Sequence, residues 1–530
     1  MDDLPITRRA FLTSIGMTAG SVAMYHAMTA LGHAAESQFD GPPVLSGARK
    51  GASVLILGAG LAGMSAAYEM QKAGYQVRLL EYQNRPGGRN WTLRGGDTYT
   101  ELGGAKQTVR FAKGNYFNPG PSRIPYHHRA VLHYCKVLGV PLETFVEFNQ
   151  NAYIHSTKAF GGKPMRYREL AADFHGGISE LLAKAINAKE LAGPLTAEDQ
   201  GRLLEALRNW GALDSKFAYT KGLASSSNRG YQRPPGAGLN GAPLPSDILA
   251  LKEVLDPATW GPMDFLNGYN FQTTMFQPVG GIDMIGKGFA RHLKDRITYN
   301  AKVTKLSQDE RGVTATFEDT VKGKGTTAQA KADWCICTLP LPILAQMDVQ
   351  VSKEMQAAIQ AVPYNSYVRI GVEFRRRFWE EDEAIYGGFT STNLDIQTMH
   401  YPNDRFHSSR PAVVVAGYPN RPKNGLLFTG MTPEERIEAT LAQGEQIHPQ
   451  FRKEYMNGVA VAWHRVPWNL GCRARWNEDT RKQHYARLVD IDGRIAIAGD
   501  SASYLPGWME GALLSSLDTI KRVHKRAVEA

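Results

Sequence analysis

Three glycines at a fixed spacing, followed by an acid, are the first residues in this chain whose types point to chemistry. In Gly58-Ala-Gly60-Leu-Ala62-Gly63, Gly58 permits a tight turn and Gly60, with Ala62 beside it, lets backbone N–H groups approach a pyrophosphate. Gly63 lets a helix pack closely on the preceding strand. The flanks supply the elements that must position this turn. Ser53–Leu57 is a short apolar run that reads as a strand, and Met64, Ala67, Tyr68 and Met70 follow at helical spacing, so a helix N-terminus faces an anion. A second strand, Gln76–Leu80, ends at Glu81, whose carboxylate can accept hydrogen bonds from a ribose 2′-OH and would repel a 2′-phosphate. Strand, glycine turn, helix, strand and acid in this order predict a dinucleotide site on an α/β, Rossmann-like domain.

A second glycine turn, Arg85-Pro-Gly-Gly88-Arg89, comes next, and Glu101-Leu-Gly103-Gly104-Ala105 shortly after. Here the sequence resembles the flavin amine oxidase superfamily, which contains monoamine, polyamine and L-amino-acid oxidases. The resemblance covers most of residues 53–512 and is specific in four places: Gly58–Glu81, Gly87–Arg89, Gly120–Pro125 and Gly499–Gly511. It implies FAD rather than NAD, with Gly88 and Arg89 beside the flavin and its phosphates and Gly103, Gly104 and Ala105 close by. Val303 falls where the family sets a contact to the adenine end.

The same resemblance supplies a candidate substrate site. Gly120-Pro-Ser-Arg123-Ile-Pro125 is similar to the loop of L-amino-acid oxidases whose arginine grips the substrate carboxylate, which puts that role on Arg123. A planar guanidinium suits the task because it holds a carboxylate in two parallel hydrogen bonds; the alternative is an arginine that bonds loop carbonyls. His400-Tyr401-Pro-Asn resembles the segment whose tyrosine assists, so Tyr401 is the candidate, with a packed core tyrosine as the alternative. Arg369 stands where family members often carry a lysine, a departure that puts the usual water contact to the flavin in doubt. Cys472 falls at the position of a cysteine that monoamine oxidases bond to flavin, but Arg473 replaces the tyrosine that follows it there, and a buried thiol is the other reading. Arg494–Gly499 is an apolar strand ending at Asp500, and Gly507-Trp508-Met509 then opens a helix whose N-terminus would face the flavin, with Trp508 toward substrate.

The bulk numbers bound these readings. At 530 residues, 43% hydrophobic and 21% charged, the chain is long enough for two domains of ordinary globular composition. Its net charge of +10 is spread without a dense basic run, so no nucleic-acid partner is expected. Four cysteines are too few for a disulfide framework, and Cys335 and Cys337, two apart on one strand face, read as buried thiols rather than metal ligands; no metal is expected. His127, His128 and His175 read as structural. Thr7-Arg8-Arg9-Ala10-Phe11-Leu12, a mildly apolar stretch to Leu31 and small residues at 32–34 match a twin-arginine export signal ending near residue 35, which implies the export machinery as a partner and a periplasmic or secreted protein.

The expected architecture is an FAD-binding domain assembled from residues 50–112, 277–345 and 460–530, and a mixed-sheet substrate domain from 113–276 and 346–459 that includes a helical insertion. Ser225–Pro245 reads as a long polar loop. The implied activity is an FAD-dependent L-amino-acid oxidase, using an amino acid and O2, in a homodimer. The alternatives are oxidation of mono-, poly- or cyclic amines, an amide-forming monooxygenase, and a flavin-binding partner protein without oxidase chemistry.

Overall fold

Strand β1 (Ser53–Leu57) lies at the centre of a six-stranded sheet, between β2 (Gln76–Leu80) and Trp334–Cys337. The order runs Ile297–Thr298, β2, β1, Trp334–Cys337, Ile495–Ile497, Ile491–Asp492, all parallel except the last pair. The strands come from sequence segments hundreds of residues apart, which is the discontinuous Rossmann-like arrangement expected. The computed structural model describes residues 39–190, 195–322 and 326–529. The expected export signal and its cleavage site lie outside the described residues.

Both faces of the central strands are covered, so Val54–Leu57 and Trp334–Cys337 are apolar and buried throughout rather than alternating, while β2 keeps Gln76 and Arg78 exposed. Val54 and Ile56 pack on one side with Met64, Ala67 and Met70 of helix α1 (Leu61–Lys72) and with the long C-terminal helix Met509–Glu529. Leu55 and Leu57 pack on the other side, with Leu306 and Phe317 of a four-stranded sheet built on 301–349. Cys335 and Cys337 point the same way and are buried free thiols. Each such side chain contributes about 1.5–3 kcal/mol by leaving water. Gly63 is required where α1 crosses β1: a Cβ there would fall 2.0 Å from the Gly58 carbonyl oxygen.

A seven-stranded mixed sheet forms the second layer system, in the order Met165–Arg166, Tyr153–His155, Phe389–Thr392, Thr398–His400, Ala412–Gly417, Val368–Phe374, Tyr455–Ala462. One pair, Phe389–Thr392 with Tyr153–His155, is parallel and the others are antiparallel. Helices Tyr167–Asn187, Ala197–Trp210 and Pro257–Phe265 belong to the insertion. The stretch expected as a loop instead contains a helix, Leu223–Arg229, and a short hairpin of Tyr231–Arg233 with Leu244–Pro245. Arg229 explains the difference. Its guanidinium is buried against Asp173 of the long helix, an ion pair that fixes a segment whose composition alone reads as polar linker.

Candidate active site

The dinucleotide motif folds as its spacing requires. Gly58 has φ +97°, the left-handed region open to glycine, and turns the chain from β1 into α1. Helix α1 starts without a side-chain cap and without an acid in its first turn, so its first N–H groups remain available to an anion. At the end of β2, Glu81 accepts from the Ala59 N–H (2.7 Å) and the Gln83 N–H (2.9 Å). Burial raises its pKa and those two donors oppose the rise.

These groups open onto one cavity of about 390 Å³. Gly58, Gly60, Leu61, Ala62 and Glu81 line one end; Arg123, Phe265, Phe271, Arg369, Tyr418 and Trp508 also contribute walls. A Cβ on Gly60 would meet nothing within 4 Å, so open space adjoins the turn where a phosphate would sit. The cradle, the uncapped helix and the acid at β2 all fit a dinucleotide such as FAD.

The cavity wall also carries an ion pair, Arg89 with Asp500. Arg89 donates through Nη1 to Asp500 Oδ2 (2.9 Å) and the Cys472 carbonyl (2.8 Å), and through Nη2 to Asp500 Oδ1. Burial works against the guanidinium's charge, but Asp500 outweighs it and holds Arg89 protonated. Asp500 also accepts from the Gly507 N–H (2.7 Å), which fixes the turn before the C-terminal helix. Cys472 lines the cavity, and burial pushes its thiol pKa up, a change that disfavours the thiolate.

At the aromatic end, Arg123 sits 5.0 Å from the Phe271 ring centroid and 5.8 Å from that of Trp508. Its Nη1 is 3.2 Å from Oε1 of the buried Glu147, and its Nε makes no hydrogen bond. The loop that carries it is pinned by Arg369, whose Nη1 donates to the carbonyls of Asn118 (3.1 Å) and Gly120 (2.5 Å) while the guanidinium rests 4.3 Å from the Tyr418 ring centroid. A further tie comes from Glu510, which accepts from the N–H groups of Ala130 and Val131 (3.0 Å each) and so joins the C-terminal helix to the helix that follows the Arg123 loop.

Residues 61–523 match the sequence profile of the flavin-containing amine oxidoreductases. The chain belongs to this family. As a flavin-containing amine oxidoreductase it is an FAD-dependent enzyme acting on CH–NH2 groups. Among its relatives, YobN of Bacillus subtilis (strain 168) is 27% identical over 497 residues, 91% of this chain and 96% of YobN. The L-amino-acid oxidase of Siganus canaliculatus is 24% identical, over 90% of this chain and 86% of its own. Cyclohexylamine oxidase from Brevibacterium oxydans IH-35A shares the fold with a TM-score of 0.59 at 17% identity, covering 90% of this chain and 99% of that structure. A putrescine oxidase structure has the same TM-score at 18% identity, covering 91% and 100%.

In this flavin-containing amine oxidoreductase the structure brings Gly58, Gly60, Ala62, Glu81, Gly88, Arg89, Arg123, Arg369, Gly499, Asp500, Gly507, Trp508 and Met509 to the cavity wall. It does not bring the others. Gly63 lies behind the turn, against Gly58. Gly103, Gly104 and Ala105 form a turn off the wall, where Glu101 pairs with the buried Arg436 (2.7 Å) and Leu102 bonds the Arg465 carbonyl. Val303 is buried in the core between sheets.

Tyr401 is also corrected. Its hydroxyl is buried and committed to Thr390 Oγ1 (2.7 Å) and His448 Nε2 (2.6 Å), with His448 Nδ1 bonded to Glu383 (2.9 Å). His400, one residue earlier, feels the charges of Arg123 and Arg369, whereas Tyr401 feels those of Glu383 and Arg166, in keeping with neighbours on an extended chain pointing to opposite sides. Of the three tyrosines on the cavity wall, Tyr82, Tyr367 and Tyr418, the last lies against the Arg369 guanidinium. A sequence signal for it exists, since Tyr418-Pro419-Asn420 repeats Tyr401-Pro402-Asn403. Phe265, Phe271 and Glu147 carry no such signal.

His128 and His127 both bond Asn270 Oδ1 through Nε2 (3.2 and 3.1 Å), and His128 meets the Trp508 ring edge-on at 5.0 Å. Burial holds the His128 pKa down at about 4. Burial and the two arginines hold His400 neutral as well. His175 stacks on Trp210.

Proposed function

We propose that the enzyme is an L-amino-acid oxidase, which deaminates an L-amino acid with O2 to a 2-oxo acid, ammonia and H2O2. The observation that carries this reading is Arg123, a guanidinium on the cavity wall against two aromatic rings, Phe271 and Trp508, on a loop fixed from behind by Arg369. The L-amino-acid oxidases among the relatives support it. When bound, FAD supplies the two-electron chemistry, taking hydride from the α-carbon and passing the electrons to O2.

The chain's own residues do the rest. Arg123 and Tyr418 hold the substrate carboxylate, which fixes the α-carbon by geometry rather than by a strong base. Phe265, Phe271 and Trp508 bound the side chain and exclude water. Arg369 keeps the Arg123 loop in register, a role unlike that of a lysine presenting a water. The first N–H groups of α1 hold the pyrophosphate, Glu81 a ribose, and Arg89, locked by Asp500, puts positive charge beside the cofactor.

A peroxide-coupled screen of amino acids and their decarboxylated amines on FAD-loaded protein tests the proposal. Amino acids, and not the matching amines, should produce peroxide and bleach the flavin without oxygen. Bleaching by amines alone would favour the second reading, an amine oxidase. The pairing of Arg123 with Glu147 gives that reading some support, because an internally neutralised guanidinium tolerates a substrate without an acid. An amide product in place of the oxo acid would indicate a monooxygenase. We further infer export by the twin-arginine route on the residues at 7–12; Arg8→Lys with Arg9→Lys should retain the protein in the cytoplasm.

A further inference from the structure

Behind Arg123, outside the cavity wall, lies an acid that the reaction does not use. Glu147 is 1% exposed, and its only partner among the described residues is Arg123, 3.2 Å away. Neither of its oxygens accepts a hydrogen bond. The Val146 N–H bonds Asn403 and the Val146 carbonyl accepts from the Gly388 N–H, so the backbone beside Glu147 is fixed to the loops around His400. Burial raises the Glu147 pKa, and Arg123 and Arg369 oppose that rise; a protonated carboxyl here would bury an O–H without an acceptor, whereas the ionised form keeps the Arg123 guanidinium 3.2 Å away as its counter-charge. Two other titratable groups face both arginines: His400 is held neutral by burial and by their charge, and burial raises the pKa of Tyr418, which keeps its hydroxyl neutral. Arg473 is another cation on the wall, but it rests 5.5 Å from the Tyr367 ring centroid and is not among the charges that Glu147 feels.

We propose that Glu147 is a specificity-determining residue that admits one substrate carboxylate beside Arg123 and rejects molecules bearing a second. The inference rests on the carboxylate-binding role given to Arg123 above. Around Arg123, two guanidinium groups and one internal carboxylate leave a single positive charge to be matched. One substrate carboxylate neutralises it, and a second beside Arg123 would be an uncompensated anion in the field of Glu147, against walls formed by Phe265, Phe271 and Trp508. Discrimination by a built-in like charge needs no new attractive contact. It also needs no contact between Glu147 and substrate, since one unit charge several ångströms away in a partly screened interior changes binding by about tenfold or more.

The test measures equilibrium binding of succinamate and succinate, an isosteric pair differing by one charge, to the FAD-loaded enzyme through the change in flavin absorbance. The wild type should bind succinamate at least tenfold more tightly, and E147Q should bring the two affinities within about threefold. Equal affinities in the wild type, or the same preference in E147Q as in the wild type, would overturn the proposal. The wild-type comparison stands even where E147Q does not fold. If neither acid binds while simple amines do, the carboxylate role of Arg123 fails, and this inference with it; equal binding of both acids defeats the inference alone.

Discussion

Replacing Arg123 with alanine separates what this side chain does for substrate from what it does for the fold. A carboxylate held by a guanidinium gains two charge-assisted hydrogen bonds of about 1.5–3 kcal/mol each, so the loss should be about 3–6 kcal/mol. At about 1.4 kcal/mol per tenfold, kcat/KM for an amino acid falls by about a hundredfold to about ten-thousandfold. The flavin content should stay normal, because the dinucleotide contacts lie on other elements. The same change strands Glu147, and a buried charge without its partner costs about 3–5 kcal/mol. Protonation limits that cost. The Glu147 pKa is already raised by burial and loses Arg123, the first of the charges that lower it. A carboxyl whose folded pKa exceeds its unfolded value is most favourable below the unfolded value, about 4.3, and loses stability as pH rises through the folded one. Urea unfolding should therefore find Arg123→Ala near wild type at pH 5 and destabilised at pH 8. Adding Glu147→Gln should recover most of the stability at pH 8 and none of the amino-acid turnover. Turnover within threefold of wild type would refute the carboxylate hold, and a pH-independent loss that persists in the double variant would refute the buried pair.

The two tyrosines of the repeated tripeptide should part company. Tyr418→Phe should lower kcat/KM by about tenfold with little change in melting temperature, while Tyr401→Phe should leave turnover unchanged and cost about 1–2 kcal/mol by breaking its bonds to His448 and Thr390. Steady-state kinetics and thermal unfolding check both. His128 should govern part of the acid limb of stability. With a folded pKa of about 4 against an ordinary 6.5, the unfolded chain binds more protons between those values, so about 3 kcal/mol present above pH 6.5 is lost by pH 4. Denaturant titrations at pH 7 and pH 4 should show a shallower loss in His128→Asn; an identical slope would place the acid sensitivity elsewhere.

The dinucleotide half of the site was legible because its determinants are local. Gly58, Gly60, Gly63 and Glu81 act within one strand-turn-helix-strand unit, so residue type and spacing already state the geometry. Asp500 and the Gly507–Met509 turn were legible for the same reason, each closing a strand or opening a helix. Of the rest of the cavity wall, the sequence named Arg123, whose loop has its own motif, together with Arg369 and Trp508. Tyr401 and Tyr418 sit in the same tripeptide, and nothing in either segment says which hydroxyl meets the cavity. Sheet pairing decides that, because a one-residue step on a strand reverses the face. Glu147, Phe265 and Phe271 reach the site through packing of the insertion and its neighbouring loops, with Phe271 meeting Arg123 across 148 residues of chain and Glu147 across 24. The sequence alone thus determined the glycine turn, the acid that ends β2 and the loop that brings Arg123 to the cavity wall, where chemistry and backbone geometry share a short segment. Only the tertiary structure decided the walls and counter-charges around Arg123, because burial and facing are properties of the assembled sheets.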